Sequence, residues 1–178
     1  MAEEFGPELA YALTRTNCFH EEYKRSLLSA AETAVQEREA FLDALESEIE
    51  SVERARSRLD PIRTEIEAIE GELGGGEGDR ATAGDDEGKK GTADFGALDA
   101  CRTRTEALRE DCDRIAARRQ RVLADHERRL ALGDDLDLPV YCYQDLDVTY
   151  PVLAAVAAVG DRLDALRRRI ESEMGRSR

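Results

Sequence analysis

The sequence predicts an all-α protein: a small three-helix head with a long antiparallel coiled-coil helical hairpin and a disordered hairpin tip. Three observations carry that expectation. Between residues 42 and 73 the apolar positions Leu42, Leu45, Ile49, Val52, Ala55, Leu59, Ile62, Ile66, Ile69 and Leu73 advance by three or four, which is a helix seam. A second run, from Leu98 through Cys101, Thr105, Leu108, Cys112, Ile115, Arg119 and Val122 to His126, keeps the same spacing. Between them, residues 71–93 are glycine-rich, small and charged, with too little apolar surface to order them.

In chain order, residues 7–16 read as a short helix, because Pro7 suits a first turn and Phe5, Leu9, Ala12 and Leu13 share one side. The long helix follows from residue 20. Its first part has a broad apolar face (Tyr23, Leu27, Leu28, Ala31, Ala34, Val35, Phe41), suited to a packed head. The steps 49 to 52 to 55 are three and three, so the stripe changes phase there. Pro61 loses one helical hydrogen bond, yet the seam keeps its phase across it, which favours a kinked helix over a break.

A flexible tip between two seams favours an antiparallel hairpin. Charge agrees. Residues 1–73 hold 18 acids and 8 bases, whereas residues 95–132 hold 7 acids and 9 bases, so the two runs are complementary. Residues 133–149 read as a loop, with Gly133 ending the return helix and Pro139 blocking local helix. A last helix starts near Pro151, with Val152, Val156, Val159, Leu163, Leu166 and Ile170 on one side and a small-residue face around Gly160. The resulting division is 1–45 for the N-terminal part of the head, 46–132 for the arm, with 71–93 as its loop, and 133–178 for the loop and helix completing the head.

Forty acids against 26 bases give a net charge of -14, and only three of the bases are lysine. Such acid-rich, lysine-poor chains suit molar salt, where the Debye length falls to about 3 Å. The N-terminus lacks a basic and apolar leader, and the longest strongly apolar run, Val152–Val159, is far shorter than a membrane span, so a cytoplasmic chain with reduced cysteines and no membrane partner is expected.

Candidate sites are few. Cys18, His20 and Cys142 are weak candidates for a zinc site, since no C-x-x-C pair and no fourth ligand accompany them; buried thiols are the favoured reading. Cys101 and Cys112 lie about 16 Å apart along one helix and read as seam residues. His126 reads as a packed polar residue. Asp134 and Asp135 lack the glycine and closing glutamate of a calcium loop, and residues 71–93 lack a phosphate-binding motif. The sharpest feature is the arginine run of Arg114, Arg118, Arg119, Arg121, Arg128 and Arg129. Ion pairing inside the hairpin is favoured for it over a nucleic-acid face.

The segments AEEFGPELAYAL, REAFLDALESE, AARRQRVLADHERR and YQDLDVTYPVLAAVA resemble a domain-of-unknown-function family of helical proteins from halophilic archaea. The likeness covers most of the chain outside residues 71–93. It implies habitat and an all-helical fold, and no activity. Members of the family it resembles often carry a further helical segment before the EEFGPELA block, which would make this chain a shortened member or one with a late start.

The expected function is therefore a non-catalytic protein-interaction or scaffold module, with no cofactor and with an unknown protein or a second copy as partner. The alternative is a nucleic-acid-associated regulator using the arginine face of residues 114–129, with Arg114, Arg118, Arg119 and Arg121 as contacts. No nucleophile is paired with a base, so no enzyme is expected.

Overall fold

The computed structural model describes residues 10, 11, 14, 21–78, 95–130 and 137–176. Among these the chain is all-α, without strands. Among the described residues four helices are delimited: α1 (Glu21–Gly78), α2 (Phe95–Leu130), α3 (Leu138–Tyr143) and α4 (Pro151–Arg176).

Helix α1 begins with Glu21 and Glu22, whose charges complement the positive end of the helix dipole. It runs unbroken through Pro61. Leu59 and Ile62 are buried while Pro61 is exposed, so the carbonyl that the proline leaves without a donor lies on the solvent side. Helix α1 also continues through the first glycines of the expected loop to Gly78, and Leu73 still packs against the core. The rest of the expected disordered tip lies outside the described residues. So does most of the expected 7–16 helix, of which Ala10, Tyr11 and Thr14 are described and helical.

Helix α2 returns antiparallel to α1, as the seams predict. Arg119 meets Glu48 near one end of the pair, and Arg104 meets Glu65 and Glu72 near the other. Pro139 does not hold the following segment out of helix. Asp137 caps a short helix by accepting the Val140 amide at 3.2 Å, and Pro139 sits in the first turn, where its missing N–H costs nothing.

The last helix is placed differently from the expectation of a head shared with residues 20–45. Helix α4 lies along the hairpin, antiparallel to α2 and parallel to α1. Gly160 sits over Arg109, Arg162 pairs with Glu70, and Arg169 donates to the Leu73 carbonyl at 3.4 Å. The core is therefore a three-helix bundle. Ala55, Leu59, Ile62, Ile66 and Ile69 of α1 meet Leu98, Cys101, Cys112 and Ile115 of α2 and Val156, Leu163, Leu166 and Ile170 of α4. The physical reason is area: two seams cannot cover side chains such as Ile66 and Ile69 from all sides, whereas a third amphipathic helix closes the open groove. The small-residue face is only partly used. Ala154, Ala155, Ala157 and Ala158 face outward, and Gly160 is covered by a guanidinium, not by a neighbouring backbone.

Candidate docking surface

The projecting part of α1 is held at its base by buried polar groups. Arg119 and Glu48 are 2 % and 5 % exposed. The Arg119 guanidinium donates from Nη1 to Glu48 Oε2 at 2.6 Å and to Ser51 Oγ at 3.0 Å, while Nη2 donates to Glu48 Oε1. The Tyr143 hydroxyl, carried by α3, donates to the same carboxylate. Burial alone would push the Glu48 carboxyl up; the Arg119 and Tyr143 hydrogen bonds and the Arg119 charge outweigh it and hold the group below its usual range. Burial and the bond to Glu48 push Tyr143 up. His126, fully buried, has Nδ1 3.6 Å from Glu48 Oε2 and no hydrogen bond on either nitrogen. Its burial pushes the imidazole down, towards the neutral form. One clamp thus ties α1, α2 and α3 together.

Beyond the clamp the environment of α1 changes. No described residue from 21 to 43 is buried, while Ala44, Glu48, Ala55, Leu59 and their successors are. On this half Leu28, Val35, Leu42 and Ile49 recur every seven residues and form one stripe. They are between 53 and 59 % exposed. The broad face expected to pack inside a head is instead open along this stripe. The half-buried Phe41 meets Tyr141 of α3 edge-to-face, with centroids 5.5 Å apart. Tyr141 and Val140 are themselves about half exposed, which widens the apolar area at the base of the stripe.

The arginine run does not form one face. Arg119 is internal, as ion pairing in the hairpin predicts. Arg114 is tied to Glu110 and Asp111, and Arg128 to Asp125, on the same helix. Arg118 and Arg121 are exposed, and Arg118 lines a narrow groove with Arg54 and Arg58. Cys18 and His20 lie outside the described residues. Cys142 is a half-buried free thiol pushed up by burial, and among the described residues no three metal-ligating side chains are gathered. Cys101 and Cys112 are free and buried, with burial raising both thiols; Cys112 packs as a small apolar group, while the Cys101 thiol donates to Glu72 Oε2 at 3.5 Å. A cleft of about 580 Å³ lies between the end of α2, α3 and the start of α4, lined by Leu123, Leu130, Tyr150, Leu153 and His126.

Sequence reasoning found Arg119 and His126 as seam positions and missed Glu48 and Tyr143. A signal for Glu48 exists. Phe41, Glu48, Ala55, Ile62 and Ile69 are spaced by sevens, so Glu48 interrupts an apolar row, as Arg119 interrupts the row of Leu98, Cys112 and their neighbours. Tyr143 offers no such signal, because it reaches the clamp from a separate short helix.

A family model described as a domain of unknown function (DUF7260) matches residues 1–167 of the chain. No curated protein and no solved structure matches it.

Proposed function

Since the chain belongs to that domain-of-unknown-function family, whose name assigns no activity, we propose from the geometry that it is a non-catalytic protein-interaction module. The observation that supports this is the exposed heptad row Leu28–Val35–Leu42–Ile49, presented by a helix whose other half is anchored in a packed bundle. Full burial of such a side chain contributes about 1.5–3 kcal/mol, and roughly half of that remains to be gained here by docking. Single exposed apolar residues are ordinary, but a continuous row is a binding feature. The acid-rich, lysine-poor composition supports a setting in concentrated salt, where apolar docking is favoured over long-range charge attraction. Among the described residues no helix is long and apolar enough to cross a membrane.

The test compares the native chain with one carrying serine at positions 28, 35, 42 and 49. Both are tagged and drawn from lysate at high KCl after nuclease treatment, and their masses in solution are measured. The reading expects a stoichiometric associate, or a larger assembly, with the native chain that the serine chain lacks while its helicity is kept. A native chain that stays monomeric and retains nothing, or a serine chain that retains the same associate, sinks it. The nucleic-acid reading has less support, because Arg119 is internal and Arg114 and Arg128 are already paired.

A further inference from the structure

We infer that the occupant of the α1 stripe is an amphipathic helix of another protein, with apolar residues at heptad spacing and Lys or Arg along one flank. This rests on the docking reading above and names the chemistry of its partner.

Each stripe residue is followed four places later by a glutamate: Glu32 after Leu28, Glu39 after Val35, Glu46 after Leu42, Glu53 after Ile49. Four residues advance about 40° beyond a full turn, so these carboxylates form a row along one flank of the stripe. All four are exposed, and none is paired with a cation among the described residues. Further round the same side stand Asp43 and Glu50, the latter held by Arg54. The opposite flank carries Leu45 and Val52, both half-buried, and leads to Phe41 and Tyr141. The stripe therefore has one acidic wall and one apolar wall. A helix seated on it lays its seam on Leu28, Val35, Leu42 and Ile49 and turns its flank towards four unpaired carboxylates. Charge at such flanking positions sets partner choice and orientation between paired helices. From Leu28 to Ile49 the seat is about 33 Å long, enough for three helical heptads.

The same geometry disfavours a second copy. In an antiparallel pair of stripes the glutamate row of one faces the glutamate row of the other. In a parallel pair it faces the side of Phe41 and Ala55, which the bundle and α3 already occupy. A net charge of -14 on each chain adds repulsion at low salt.

The probe is a four-heptad peptide with Leu at both seam positions and Lys on both flanks, set against a twin with Glu on the flanks. Each is titrated into the full chain at low salt, and again in molar KCl. The lysine peptide is expected to bind one to one and roughly tenfold or more tighter than its twin, with four exposed pairs acting together, and the preference is expected to shrink in KCl. Changing Glu32, Glu39, Glu46 and Glu53 to Lys should reverse the preference. Serine at positions 28, 35, 42 and 49 should abolish binding of both peptides. Equal binding of the two peptides overturns the inference, as does lysine-peptide binding that survives the serine changes, which would be general attraction to an acidic chain. A concentration-dependent dimer lost in the serine chain overturns the basic-helix partner and leaves the docking reading standing. No peptide binding and no self-association ends both. Should the serine chain lose helicity, the charge-reversed chain decides alone, because it keeps the apolar row intact.

Discussion

The two halves of α1 share a composition and a spacing but not an environment. From Ala55 to Leu73 the helix faces α2 and α4, and Ile66 and Ile69 are completely buried. From Glu21 to Asp43 it buries nothing fully. The turning point is the triplet Ile49, Val52, Ala55, where the apolar step shortens. Upstream, the row through Leu28 and Ile49 points outward; downstream, the row through Ala55, Ile62 and Ile69 points inward. The two rows are one residue out of step, about 100° around the helix. A single helix thereby serves as a bundle strut at one end and, among the described residues, as an unpartnered face at the other. The Glu48–Arg119–Tyr143 clamp stands at the boundary and joins α1 to α2 and α3.

The largest effect that sharpens this contrast comes from the clamp. Replacing Arg119 by Met strands a buried carboxylate and should cost about 3–5 kcal/mol in chemical denaturation. Replacing Glu48 by Leu in the same chain should restore most of the loss. A smaller loss is expected inside the bundle: Ile66→Ala should cost about 2–5 kcal/mol, whereas Val35→Ala, on the open stripe, should stay within about 0.5 kcal/mol. Equal losses at positions 35 and 66 would erase the distinction between the two halves.

Acid provides a further contrast. In the native chain the folded Glu48 carboxyl lies below its unfolded value, so its contribution is complete above pH 4.5 and disappears as pH falls through the lowered value. His126 acts earlier. Its folded imidazole lies below 6.5, so the unfolded chain takes up the proton first and stability begins to fall as pH drops through 6.5. With Arg119 replaced, burial of Glu48 is opposed only by the Tyr143 hydrogen bond and the His126 charge, so its carboxyl should rise and the acid-dependent loss of the native chain should shrink. Denaturation at pH 4 and pH 7 should show the two chains converging in acid; a constant gap would contradict the role given to Arg119. The smallest effect is expected at Gly160. A methyl there meets only the movable Arg109 guanidinium, and alanine gains up to about 1 kcal/mol of helix propensity, so Gly160→Ala should be neutral or mildly stabilising.

Much of the fold was legible because helix seams are periodic. The α1–α2 hairpin, the buried Cys101 and Cys112 and the internal Arg119 follow from spacing and charge. The position of α4 was not legible, since an apolar stripe such as Val156–Leu163–Ile170 says that a helix is covered and not by what. Pro139 was misread for a local reason: it stands two residues after a capping Asp137, where proline starts a helix. The docking stripe was half visible. Its residues are apolar and periodic in the sequence, and the phase of the stripe changes over residues 49–55. Periodicity alone does not distinguish an occupied face from an open one.

Hydrogen exchange along α1 tests the contrast between its halves most directly. The account predicts that amides of residues 24–40 exchange about two orders of magnitude or more faster than those of residues 55–72, with the change falling near the clamp. Uniform protection along the whole helix would mean that the stripe is already covered in the free protein, and would contradict an open docking face.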